Sequence, residues 1–204
     1  MIEALLLAAA EPAMTAIDAE RAFAADAQKS GQWTAFRKWA TDDAIMFVPQ
    51  AGSAHEFLKG KADPPVAVFW WPGRSYVSCD GSTAINSGPW VRGWGKSIGY
   101  FTTVWRRQAD GSWKWLLDHG DALAEARAEG GDIKPRLASC ARPVKAPTPK
   151  LGLTQGGSSG GGQSKDASLV WRWFVRPDGS RTFEALLWNG KGWDTVINDS
   201  VKAE

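Results

Sequence analysis

Histidine and tyrosine are scarce in this chain, two of each in 204 residues, and cysteine is equally rare. His55 and His119 lie far apart, as do Cys79 and Cys140, and zinc ligands come in closely spaced pairs, so no zinc site is spelled out. Two cysteines make no disulfide framework by number; they could pair if the chain is exported. Basic residues form no run, the formal net charge is +2, and the Arg106-Arg107 pair sits beside a hairpin turn. Nucleic acid is therefore not an expected partner. The glycine run from Gly156 to Gly162 lacks the flanking strand and helix of a phosphate loop, and no Gly-x-Ser-x-Gly elbow occurs. The reading calls for no metal and no cofactor.

Long hydrophobic runs are also missing. The apolar stretch from Ala4 to Ala10 is too short to span a bilayer, lacks a basic segment before it and follows Glu3. Residues 1–13 read either as a disordered leader or as the remnant of a secretory signal. The second case places the protein in a periplasm or outside the cell, the first in the cytoplasm.

What is abundant is tryptophan, 13 residues. An indole is costly to place unless its ring is buried and its N–H has a partner, so this number points to an aromatic interior or cleft. Helices come first. Thr15 and Asp18 have capping-box spacing, and Ala16, Ala19, Phe23 and Ala27 recur on one face until Ser30-Gly31 ends the helix. A second short helix carries Trp33, Phe36 and either Trp39 or Ala40 on one side. A strand from Ala44 to Val48 is stopped by Pro49, and Ser53 to Lys59 fits a third small helix.

Strands follow, announced by three Asp-Gly-Ser turns at Asp80, Asp110 and Asp178. In the second hairpin a three-residue loop places Trp105 opposite Trp115, Thr103 opposite Leu117 and Phe101 opposite His119. A two-residue loop places Thr102 opposite His119 and Tyr100 opposite Asp121. In either register Trp113, Trp115, Leu117 and His119 share one face and Asp118 the other. The third hairpin favours the three-residue loop, which pairs Arg172 with Glu184 and Trp173 with Phe183. Residues 122–167, with Pro135, Pro143, Pro147, Pro149 and the glycine run, have linker composition, flexible at the centre. Residues 168–204 read as three strands too few to stand alone, docked on a main domain spanning 14–121. Helices first and meandering strands after is an α+β order.

The segments AIDAERAFAADAQKSG, WATDDAIMFVPQ and YFTTVWRRQADGSWKWLLDHGD resemble the SnoaL-like/DUF4440 branch of the NTF2-like superfamily, over about half the chain from Ile17 to Asp121. The resemblance implies a cone, with helices closing one side of a strongly curved antiparallel sheet around an apolar pocket. Relatives include ketosteroid isomerases, polyketide cyclases and dehydratases, alongside members that only bind or dimerise. The isomerase trio of carboxylate base, Tyr and protonated carboxylic acid has no position-by-position match here, so its roles are not carried over.

Among candidate site residues His119 stands first, an ionisable group on an otherwise apolar strand face. Asp43 opens the first strand where it could look into a pocket. Tyr100 could donate its hydroxyl to a bound carbonyl, and Trp113, Trp115 and Leu117 would form the wall. Trp71, with Trp70, would form a lip. Each also has a plain structural reading, as core, turn or surface. Three functions follow: a protein binding a small apolar or amphipathic molecule, a metal-independent isomerase, cyclase or dehydratase using His119 or Asp43 as acid or base, and an interaction module whose open sheet face meets a partner or a second copy of the chain.

Overall fold

The computed structural model describes residues 13–127, 133–143, 145–147 and 156–203. The apolar run from Ala4 to Ala10 and Pro149 lie outside them. Helix α1 (Ala16–Ser30) starts with the expected box: the Asp18 N–H donates to the Thr15 hydroxyl at 3.2 Å, and the Thr15 N–H donates to the Asp18 carboxylate at 3.1 Å. Ala16, Ala19, Phe23 and Ala27 are buried along one stripe, and so is Glu20. Helix α2 (Gln32–Trp39) has no cap of its own. Asp63 supplies one from across the fold, accepting the N–H groups of Trp33 and Thr34 at 2.5 and 3.0 Å. Helix α3 (Ala54–Leu58) is capped by Ser53. Among the described residues no helix is long and apolar enough to cross a membrane.

The main sheet contains β1 (Ala40–Phe47), β2 (Ala51–Ser53), β3 (Phe69–Trp70), β4 (Arg74–Val77), β5 (Thr83–Arg92), β6 (Ser97–Arg107), β7 (Trp113–Leu123) and β8 (Arg136–Leu137). Its order is β2-β1-β7-β6-β5-β4-β8, with β3 also against β5, and it does not close into a barrel. It is mixed, not wholly antiparallel, because β1 runs parallel to β7 and β4 parallel to β8. Tight turns force the antiparallel pairs; strands joined by long stretches of chain are free to pair in either sense.

A second sheet packs on the first. It has four strands, β9 (Ser158–Gln163), β10 (Leu169–Val175), β11 (Arg181–Trp188) and β12 (Trp193–Val201), in the order β12-β11-β10-β9. The extra strand is the glycine run, expected as flexible linker and found as an edge strand. Its glycines are demanded by neighbouring indoles: a Cβ on Gly160 or Gly162 would come within 2.5 Å of Trp173 or 2.4 Å of Trp171. Linker composition here reflects close approach of rings to backbone. Leu169, Trp171 and Phe183 of the C-terminal strands meet Ile85, Val104 and Leu117 of the main sheet in one buried cluster. Cys79 and Cys140 are joined, with Cα atoms 5.1 Å apart. The bridge closes 61 residues of chain, which contributes about 4 kcal/mol in the chain-entropy model.

All three Asp-Gly-Ser segments turn at a glycine of positive φ, at Gly81, Gly111 and Gly179. The third hairpin has the expected register, Arg172 opposite Glu184 and Trp173 opposite Phe183. The second keeps the three-residue loop, with Trp105 opposite Trp115, and then departs from it. Leu116 is an extra residue in β7, so Val104 meets Leu117, Thr103 meets Asp118 and Thr102 meets His119. The bulge reverses alternation beyond it. Trp113 and Trp115 lie under the helices, whereas Leu117 lies between the sheets. The expectation that His119 shares a face with the two indoles is thereby corrected, and Asp118 takes the helix side.

Candidate functional site

The helices fill their side of the main sheet incompletely. A cavity of about 350 Å³ remains, walled by Trp33, Phe36, Met46, Trp70, Trp90 and Phe101. Behind the wall the rings are closely packed: Phe23 sits 4.8 Å from Phe36 and 4.9 Å from Trp70, edge to face. Gly99 lets the Trp90 indole lie against β6, since a Cβ there would stand 2.2 Å from the ring. The Trp90 N–H donates to the Tyr100 carbonyl at 3.0 Å, and the Trp70 N–H to Glu20 at 2.9 Å. With those N–H groups used inside the protein, the two indoles offer the cavity ring surface.

One acidic side chain, Asp118, reaches the cavity from beneath the aromatic wall, and Asp121 and Arg92 stand further along it. The Thr103 hydroxyl donates to Asp118 at 3.2 Å. Burial, reinforced by the nearby charge of Glu20, pushes the Asp118 carboxyl up to about 7. Burial also pushes Glu20 up to about 7, against three N–H donors: Trp105 at 2.6 Å, Trp70 at 2.9 Å and Asn86 at 3.3 Å. Three donors favour an anion, and one hydroxyl favours it less. Of the two carboxyls Asp118 is therefore the better proton holder, and it is the one against open space.

The last β1–β7 pair is Met46 with Asp118, whereas β7 continues to Leu123. The cavity extends along that uncovered edge past Gly120, Asp121 and Ala122. Tyr100 and His119 border it there, but their polar atoms are shut into the seam between the sheets. The His119 ring stacks on Phe183 at 5.3 Å and meets the Phe47 ring edge-on at 5.5 Å. Neither His119 nitrogen nor the Tyr100 hydroxyl has a hydrogen-bond partner among the described residues. Burial pushes His119 down to about 3, and the charges of Arg181 and Arg127 act in the same sense, so the ring is neutral at physiological pH. Arg127 lies 3.6 Å over the Tyr100 ring and pairs with Asp199 at 2.9 Å.

The remaining candidates are scattered. Asp43 lies on the surface away from the cavity, accepting hydrogen bonds from Arg106 at 3.0 and 2.5 Å, and these hold its carboxyl below the usual range. Trp113 and Trp115 stand behind the cavity, donating to the carbonyls of Met14 and Phe36 at 3.0 and 3.1 Å. Leu117 is in the seam, and Trp71 rests beside Phe69 with ring centroids 5.5 Å apart. The carboxyls that matter most, Glu20 and Asp118, were not singled out by sequence. Glu20 left a signal, as a charged residue four positions after Ala16 on the apolar face of α1. Asp118 left none without the bulge. The chain matches no protein-family model and no curated protein.

Proposed function

We propose that this is an NTF2-like, small-molecule-binding protein whose cavity beneath the helices takes an apolar or amphipathic ligand with one polar group directed at Asp118. The observation that carries the reading is an aromatic-walled cavity of about 350 Å³ with a carboxyl at its floor whose pKa is raised to about 7. A concave, mostly apolar space with a few polar groups on its lining, here Gln32, Arg92, Asp118 and Asp121, is the usual form of a ligand pocket. The helices-on-sheet order supports the NTF2-like reading, although the sheet is mixed and carries a second sheet.

Acid–base catalysis of the isomerase, cyclase or dehydratase kind is the second reading, and one observation favours it. A carboxyl titrating near neutrality can both give and take a proton. Asp118 would carry that chemistry in place of His119 or Asp43, since the His119 imidazole is turned into the seam and Asp43 is paired on the surface. The interaction-module reading relied on an open sheet face, and here the second sheet covers it.

The test is a titration of flat carbonyl compounds, aromatic acids and aromatic amines, followed by Trp emission and thermal shift, in the native chain and in Asp118→Asn. Binding of at least one class, weakened by the substitution, is the expected result. Absence of binding across the panel would overturn the pocket reading.

A further inference from the structure

The cavity has an unbalanced electrostatic character. Two carboxyls, Glu20 and Asp118, lie beneath it, and the donors that reach them are indole and amide N–H groups for Glu20 and the Thr103 hydroxyl for Asp118, all uncharged. Asp121 is a further acidic residue on the lining, on the strand face it shares with His119. Aromatic walls suit a cation, because the face of an aromatic ring is the negative end of its quadrupole, most strongly for indole. Trp33, Trp70 and Trp90 stand in that wall with Phe36 and Phe101. Two of these indoles already attract the protein's own cations: the Arg92 guanidinium lies 5.8 Å from the Trp90 ring centre, and the Lys61 ammonium 5.9 Å from that of Trp33.

We propose that the ligand of this cavity is a cation, an amine or quaternary ammonium carried on an apolar body, held by the Trp33, Trp70 and Trp90 rings with Asp118 as its counter-charge. The inference rests on the reading of the cavity as a ligand site and deepens it by naming the ligand's charge. A neutral ligand would leave Asp118 protonated and its capacity to act as a counter-charge unused. An anionic ligand could meet Arg92 at the cavity, but would then face Asp118, Asp121 and the ring faces. A cationic head uses Asp118 and the aromatic wall, with Arg92 as a like charge on the lining, and its arrival drives the proton off Asp118, so binding is coupled to proton release.

Three probes of similar bulk separate the cases: phenyltrimethylammonium, its neutral isostere tert-butylbenzene, and the anion 3-phenylpropionate. Each is titrated into the full chain by calorimetry. The ammonium should bind about tenfold or more tighter than the neutral isostere. Below the Asp118 pKa of about 7, its heat should change with the ionisation enthalpy of the buffer, which reports the released proton. The neutral isostere should show no buffer dependence. In Asp118→Asn the preference for the ammonium should shrink and the proton release fall, with thermal melting confirming a folded variant; Trp70→Leu should reduce the preference while leaving the proton release. Tighter binding of the neutral compound or of the anion would overturn the proposal and leave the pocket standing, and binding of no probe would overturn both.

Discussion

One face of the eight-stranded sheet is covered by helices and the other by a second sheet, and the two coverings treat polar groups in opposite ways. Under the helices, Glu20 receives three N–H donors and Asp118 looks into open space. In the seam, His119 and Tyr100 are packed among rings, and their polar atoms have no partner among the described residues. A buried polar atom without a partner costs about 1–3 kcal/mol, so the seam tolerates its orphans only because apolar packing around them is dense. The comparison separates roles that a list of buried ionisable residues would merge. A His in a dry seam is held neutral and inert, whereas a carboxyl at the floor of a cavity is held near neutrality and reachable.

The assignment of residues to these two faces depends on the register beyond Leu116. Deleting Leu116 should be tolerated, because Leu117 would follow Trp115 directly and still meet Val104, with His119 still opposite Thr102. Inserting one alanine between Leu117 and Asp118 should be the most damaging single change available, because residues beyond it would exchange faces. His119 would turn toward the helices, and Asp118 would be driven into the seam. The expected outcome is loss of cooperative unfolding and of near-ultraviolet circular dichroism. An insertion variant that melts like the native chain would show that the register beyond the bulge does not control the fold.

Truncations on the two sides should differ in size. Phe183 is fully buried in the seam against His119, so Phe183→Ala should cost about 3–5 kcal/mol in urea unfolding. Trp90 borders the cavity and is only half-buried, so Trp90→Ala leaves less new empty space and should cost about 1–3 kcal/mol. Equal costs would mean that the cavity side is packed as tightly as the seam.

The two faces should also give stability opposite dependence on pH. Asp118 ionises near 3.8 in an unfolded chain and near 7 in the native one, so its contribution is complete below about pH 4 and is lost as pH rises toward 7. Glu20 acts in the same sense. His119 takes a proton below about 6.5 when unfolded but resists it to about 3 when folded, so its contribution is present above 6.5 and is lost as pH falls. Each effect is on the order of a few kcal/mol. Asp118→Asn should therefore flatten the loss toward neutral pH, and His119→Leu should flatten the loss toward acid. Unfolding curves collected between about pH 4 and 8 check both, and a profile unmoved by either variant breaks the contrast.

How much of this is legible in the sequence depends on how local each feature is. The Thr15–Asp18 cap, the apolar stripe of α1 and the Asp-Gly-Ser turns are written within a few residues of themselves. So is the Arg172–Glu184 register, because a turn and two charges suffice to define it. Pairing of β1 with β7 is different, since parallel partners lie some 70 residues apart and no turn links them. The bulge at Leu116 is equally non-local: Trp115 must fit under α2 while Leu117 meets the second sheet, and neither partner is visible from β7 alone. Gly160 and Gly162 read as linker because the indoles that need them lie about ten residues on. The candidate site inherits these gaps. His119 was visible as chemistry but misplaced by one residue of register, and Asp118, its neighbour, took the position that His119 was expected to hold.

The smallest expected effect concerns Asp43. Its side chain is 61% exposed and its partner Arg106 40% exposed, so the pair is strongly screened by water even with two short hydrogen bonds. Exposed pairs of this kind contribute about 0–1 kcal/mol. Asp43→Ala should therefore lower stability by less than about 1 kcal/mol, and by less still in high salt. It should leave ligand affinity unchanged, because Asp43 does not line the cavity and its carboxyl is held ionised by Arg106. The same substitution at Asp118 removes the one carboxyl at the cavity floor. Measured side by side on the ammonium probe, the two variants ask whether position or mere acidity matters. If Asp43→Ala weakens binding as much as Asp118→Ala does, the ligand sits on the Asp43 side of the sheet and the cavity beneath the helices is not its site.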